Sequence, residues 1–95
     1  MAPDEDKIKE VRKHIDRIDA VIINALAERM SVMPEIGEYK KANKIPITQE
    51  EREIQIMEKL LTTAEEHGLD RSFVEEVFLS VFNEAKRIQK DIIDK

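Results

Sequence analysis

Residues 7–42 read KIKEVRKHIDRIDAVIINALAERMSVMPEIGEYKKA, and the spacing of their apolar members decides the fold. Ile8, Val11, Ile15, Ile18, Ile22 and Ala25 follow one another in alternating steps of three and four, and Val32, Ile36 and Tyr39 continue the register. Side chains spaced this way line one face of an α-helix. A helix of this length would run roughly 54 Å at 1.5 Å per residue, too long for so short a chain to cover by itself. The seam therefore predicts a helix of a second chain packed along it.

Two residues disturb the run. Pro34 removes a backbone hydrogen bond and crowds the carbonyl of Met30. Two helices broken before Pro34 are the alternative, but no Gly or Asn turn accompanies the proline and the seam keeps its register across it, so one bent helix is expected. Arg29 lies on the seam itself, where a guanidinium must either reach water along its stem or meet an anion held inside the bundle. Lys40, eleven residues on, is only about 20° away around the axis and roughly 16 Å along it, so the two cations can converge on one small anion. Arg12, seventeen residues before Arg29, is about 100° and about 26 Å away. It serves the same ligand only if another copy of the chain brings it there.

Ninety-five residues form one domain whose core is marginal for a monomer, a deficit that oligomerisation relieves. With 39% charged residues, 41% hydrophobic ones, two Gly and no β-branched runs bounded by turns, the composition is that of a helical bundle, an all-α fold. The absence of cysteine excludes disulfides and thiolate metal sites and gives no sign of an oxidising compartment. No apolar run reaches the length of a membrane span, and the start MAPDEDK is acidic, unlike a signal peptide; a cytoplasmic protein is expected. A formal net charge of −5 argues against nucleic acid as a partner. The cations of interest must act locally.

Along the chain, Met1 to Asp6 is expected to fray, with Asp4 to Asp6 as carboxylates for the first helix's N-terminus. KANKIPI, residues 41–47, forms a short loop because Pro46 biases Ile45 away from helix, and Asn43 is a possible cap. T-Q-E-E from Thr48 reads as a capping box between Thr48 and Glu51, which puts Gln49, Arg52 and Glu53 on one face of the second helix's first turns. Ile54, Met57, Leu60, Leu61 and Ala64 make its apolar stripe. His67-Gly68 ends it, and Asp70 caps the third helix. That helix buries Phe73, Val74, Val77, Phe78, Val81, Phe82, Ala85, Ile88 and Ile92, with Ala85 and Gln89 stacked four residues apart. Gln89 thus interrupts an apolar stripe as Arg29 does.

A lone surface Arg, Lys or Glu ordinarily solvates a fold. Arg29 and Gln89, however, fall where the pattern wants hydrophobes, and buried polar groups need partners. Arg29, Lys40, Arg52 and Gln89 are all donors. His14 and His67 have no clustered second ligand, and no nucleophilic set or glycine-rich phosphate loop can be assembled. Chemistry on this chain should need no nucleophile, metal or cofactor.

Arg12 in V-R-K-x-I-D-x-I-D, Arg29 in L-A-E-R, Lys40 in I-G-E-Y-K, the Ile45-Pro46 turn, Arg52-Glu53 in E-E-R-E, and Gln89 stand in an order and spacing that no single piece would make specific. Together they resemble the all-helical chorismate mutases (the AroQ class) over nearly the whole chain. The resemblance implies three helices per chain, one long and two shorter, in an intertwined homodimer with two sites. Each site takes the residue matching Arg12 from the other subunit and those matching Arg29, Lys40, Arg52, Glu53 and Gln89 from its own. It also implies the substrate, the dicarboxylate chorismate, and its Claisen rearrangement to prephenate in phenylalanine and tyrosine biosynthesis. By the same resemblance Arg12 and Arg29 pair the carboxylates, Lys40 and Gln89 donate to the ether oxygen, and Glu53 binds the hydroxyl.

Two positions depart from the pattern. Gln49 stands where many members have Asp, so one contact to the hydroxyl is lost or made by backbone; Ala85 stands where some have a serine that bonds a carboxylate. Pro34 is also unusual in the family's long helix. The nearest rival is isochorismate pyruvate lyase on the same fold, which needs the same cations, although Glu53 directly after Arg52 favours the mutase. The rival of another class is a non-catalytic helical dimerisation module, which explains the seam but not Arg29 or Gln89 within it. The initial Met favours a free-standing enzyme.

Overall fold

The computed structural model describes residues 3–95. It consists of α1 (Pro3–Ser31), α2 (Met33–Asn43), α3 (Glu50–Glu66) and α4 (Arg71–Ile93), with no strand among the described residues. The all-α class is as expected, and so is the order of one long helical stretch followed by two shorter helices. The first stretch is not continuous, which corrects the single bent helix. It breaks at Val32 (φ −92°, ψ −5°), and α2 restarts with Pro34 in its first turn. There the missing N–H is one that no helical bond would use, whereas within a longer helix it would leave the Met30 carbonyl unpaired. The amide of Ile36, donating to the Val32 carbonyl at 3.2 Å, joins α2 to the residue at the break.

Residues up to Ser31 form one compact unit and Val32–Lys95 a second. In the first, α1 already includes Asp4, Glu5 and Asp6 in its opening turn, where their charge favours the helix dipole; the fraying expected there does not occur from Pro3 on. Met1 and Ala2 lie outside the described residues. The expected seam is laid out along α1 and is exposed, from Ile8 at 47% to Ile18 at 44% and Ile22 at 50%.

In the second unit α4 is the common support, since α2 and α3 both pack against it. Leu61 and Ala64 of α3 meet Val74 of α4 in a buried cluster flanked by Met57 and Phe78. Full burial of a side chain such as Leu61 contributes about 1.5–3 kcal/mol. The rings of Phe78 and Phe82 lie 6.4 Å apart at 59°, a tilted pairing that rings favour over face-to-face stacking. The face expected to be buried is narrower than predicted. Val74, Val81, Phe82 and Ala85 are inside, but Phe73 and Val77 are exposed, each one residue before a side chain that packs with α3, Val74 and Phe78.

The helix ends follow local chemistry with two corrections. Gly68 takes φ +71° after α3, and Asp70 Oδ2 accepts from the Phe73 amide at 2.9 Å, as the sequence implied. At the end of α2 the left-handed residue is Lys44 (φ 56°), while Asn43 turns its side-chain amide back to the Tyr39 carbonyl at 2.8 Å. The capping box at Thr48 does not form. Gln49 becomes the N-cap with no side-chain cap bond, and just before it Lys40 Nζ donates to the Ile47 carbonyl at 2.8 Å. No described helix is long and apolar enough to cross a membrane.

Candidate active site

The close approach of α2 to α4 sets the site's geometry. At Gly37 a Cβ would stand 3.1 Å from Ile92 Cβ and 3.3 Å from Gln89 Cα and carbonyl oxygen, so glycine lets the two backbones come together there. Lys40 is one turn further along α2, on the same side as Gly37, and Gln89 is opposite Gly37 on α4. Gln89 is 5% exposed and is the buried polar side chain among the described residues. Its Nε2 donates to Met33 Sδ at 3.4 Å, and Oε1 is buried with no hydrogen-bond partner. A thioether is a weak acceptor, and a buried carbonyl oxygen left unpaired costs about 1–3 kcal/mol. Such an amide is held for something other than stability.

Around Lys40 the chain gathers charge. Lys40 is half-buried, and loss of water draws its pKa below the ordinary 10.5; Glu53 acts in the opposite direction and Lys86 adds to the lowering. Glu53, in the first turn of α3, is held by Lys86 Nζ at 3.1 Å from Oε1. These two side chains are 27% and 28% exposed, so their contact is partly shielded from water. Helices α2, α3 and α4 thus each supply one member of a group of two ammonium ions about one carboxylate. With the Gln89 amide a turn along α4 from Lys86, the arrangement offers charge-assisted donors and one acceptor, which is suited to an anion that also carries a hydroxyl.

The structure brings Lys40, Glu53 and Gln89 to one region of the second unit, with Ala85 buried on α4 four residues before Gln89. Gln49 and Arg52 line a different feature, an open cleft of about 680 Å³ at the start of α3 that they share with Pro46, Thr48, Glu50, Glu51 and Gln55. That cleft does not include the buried amide of Gln89. Arg29 is in the last turn of α1. Arg12, exposed on the same helix, edges a shallow depression with Asp4, Glu5, Ile8 and Lys9. The histidines have local roles: His14 Nδ1 lies 3.4 Å from the Arg17 guanidinium, and His67 Nδ1 lies 2.9 Å from the Thr63 carbonyl.

Two residues of the region escaped the sequence reading. Lys86 looks like any cation in a charged stretch, and only its spacing of three before Gln89 hinted at a shared face. Met33 gave no signal, being one apolar residue beside a proline.

Comparison with known proteins identifies the family. The family model for chorismate mutase type II matches residues 11–90. A chorismate mutase of Methanocaldococcus jannaschii is 32% identical over 95% of this chain and 91% of its own length. A 4-amino-4-deoxychorismate mutase of Streptomyces pristinaespiralis is 27% identical over 93% of this chain and 68% of that one. A bifunctional chorismate mutase/prephenate dehydratase of Aquifex aeolicus is 46% identical over 59% of this chain and 16% of its own. The chain belongs to the type II chorismate mutase family.

Proposed function

We propose that this enzyme, an isomerase, converts chorismate to prephenate as a homodimer, with Lys40 and Gln89 as the groups that act on the breaking bond. The rearrangement is a single pericyclic step in which a C–O bond breaks as a C–C bond forms. No proton transfer or covalent intermediate is required. What remains for the protein is to hold the extended substrate in its chair-like reactive conformer and to stabilise negative charge developing on the ether oxygen. A fixed ammonium and a fixed amide N–H do the second, each contributing a few kcal/mol when prearranged.

The observation that carries this reading is Gln89, an amide buried on α4 whose N–H group meets only the weak thioether acceptor of Met33, across from the glycine that lets α2 bring Lys40 close. In this proposal Glu53 accepts the substrate hydroxyl. Arg29 and Arg12 of the partner subunit pair the two carboxylates with charge-assisted bonds, and Arg52 and Gln49 complete substrate binding from the start of α3. The exposed seam of α1 supports a second copy as the occupant of that face. A cytoplasmic location goes with the reading, in keeping with a sequence free of cysteine.

The test is to mix the purified protein with chorismate and identify the product. Prephenate is the expected result. If chorismate is untouched while isochorismate gives pyruvate and salicylate, the lyase reading replaces this one; turnover of neither would leave a helical dimerisation module.

A further inference from the structure

The ion pair between Lys86 and Glu53 is placed where a surface pair has no reason to be. Lys86 Nζ engages Oε1 of Glu53 at 3.1 Å with both side chains about three-quarters buried, at 28% and 27% exposure. Lys86 follows buried Ala85 on α4, and it is close enough to Lys40 on α2 for the two like charges to oppose each other. Glu53 therefore faces two cations, one from each neighbouring helix. With one carboxylate oxygen engaged, its charge is largely answered before a substrate arrives.

We propose that Lys86 is a positioning residue that decides which substrate group Glu53 accepts, a neutral hydroxyl in preference to a protonated amine. The inference rests on the mutase reading above, in which Glu53 meets the substrate hydroxyl. A hydroxyl needs one oriented acceptor oxygen and adds no charge. An ammonium would be a third cation beside a single carboxylate and would be repelled by Lys40 and Lys86, whereas a Glu53 released from Lys86 would attract it. At the effective dielectric of a half-buried site, like charges a few ångström apart oppose each other by enough to discriminate strongly.

The experiment compares kcat/KM for chorismate and for 4-amino-4-deoxychorismate in the wild-type protein, Lys86→Met and Lys86→Arg. The wild type prefers chorismate, and Lys86→Met lowers the ratio of the two by at least about tenfold. Lys86→Arg, which keeps a cation against Glu53, retains it. A ratio in Lys86→Met within about twofold of the wild type overturns the proposal. Should Lys86→Met lose its helical circular dichroism, Lys86→Gln reads the same ratio. If the amine is not turned over, its inhibition constant against chorismate replaces its kcat/KM. A wild type inert toward chorismate would overturn the mutase reading itself, an outcome distinct from active enzyme with an unmoved ratio.

Discussion

Gln89 is an amide in a place the folded chain keeps dry, and an amide donates a hydrogen bond at every pH, whereas a carboxyl group does so only while protonated. Gln89→Glu should therefore work only on the acid side: kcat/KM rises as pH falls through the carboxyl's pKa, and an unchanged pH profile would remove Gln89 from the mechanism. Lys40 sets the opposite limit. Its pKa lies below 10.5 in the folded chain because burial disfavours the charged form. Between the lowered value and 10.5 the unfolded chain binds more protons, so stability rises with pH across that window, while the donor that the reaction needs is being lost. Activity should fall on the alkaline side before an unperturbed lysine would titrate. Lys40→Arg, charged throughout, should lack this alkaline limb in a kcat/KM titration. Arg29→Ala should lose binding of a bicyclic transition-state mimic, measured by calorimetry, while the proposed dimer persists in sedimentation. Gln89 was legible in the sequence because a polar residue broke an apolar stripe. Lys86 was not, since a lysine in the run N-E-A-K-R looks solvated until α3 brings Glu53 against it.

At the scale of the element, the helices themselves were readable from apolar periodicity, and their ends wherever a side chain or a glycine acts locally, as at Gly68 and Asp70. Exact boundaries were less so: α3 takes Gln49 as its N-cap, one residue past the expected Thr48, with no side-chain cap bond. Unbroken seam register hid the break at Val32, because register records which face is apolar and says nothing of whether the backbone bonds continue. Asp70→Ala should cost about 1 kcal/mol in denaturant unfolding and leave turnover intact at low temperature, since its bond serves only the first turn of α4. Gly37→Ala should do the reverse. An alanine gains up to about 1 kcal/mol of helix propensity. Its methyl, 3.1 Å from Ile92 Cβ, must also push α2 from α4, and such overpacking costs about 1–3 kcal/mol. The two effects partly cancel in stability, but Lys40 and Gln89 move apart, so kcat/KM should drop by about tenfold or more.

For the whole molecule, a 95-residue chain that leaves Ile8, Val11, Ile15, Ile18 and Ile22 exposed along one helix has an apolar face to cover. If the proposed dimer covers that face, Ile18→Lys should give a monomer in analytical ultracentrifugation and abolish turnover with it. Activity surviving in a monomer would mean that no partner residue enters the site. The charges also divide into two populations that ionic strength separates. At about 0.1 M salt the Debye length is about 10 Å, and exposed pairs such as Arg87 with Glu84 and Asp91 weaken as salt is added. The Lys86–Glu53 contact, with both side chains largely shielded from solvent, is reached far less. Turnover at saturating chorismate should then hardly respond to salt, while capture of the dianion from dilute solution weakens steadily, so that added electrolyte raises KM and leaves kcat nearly where it was.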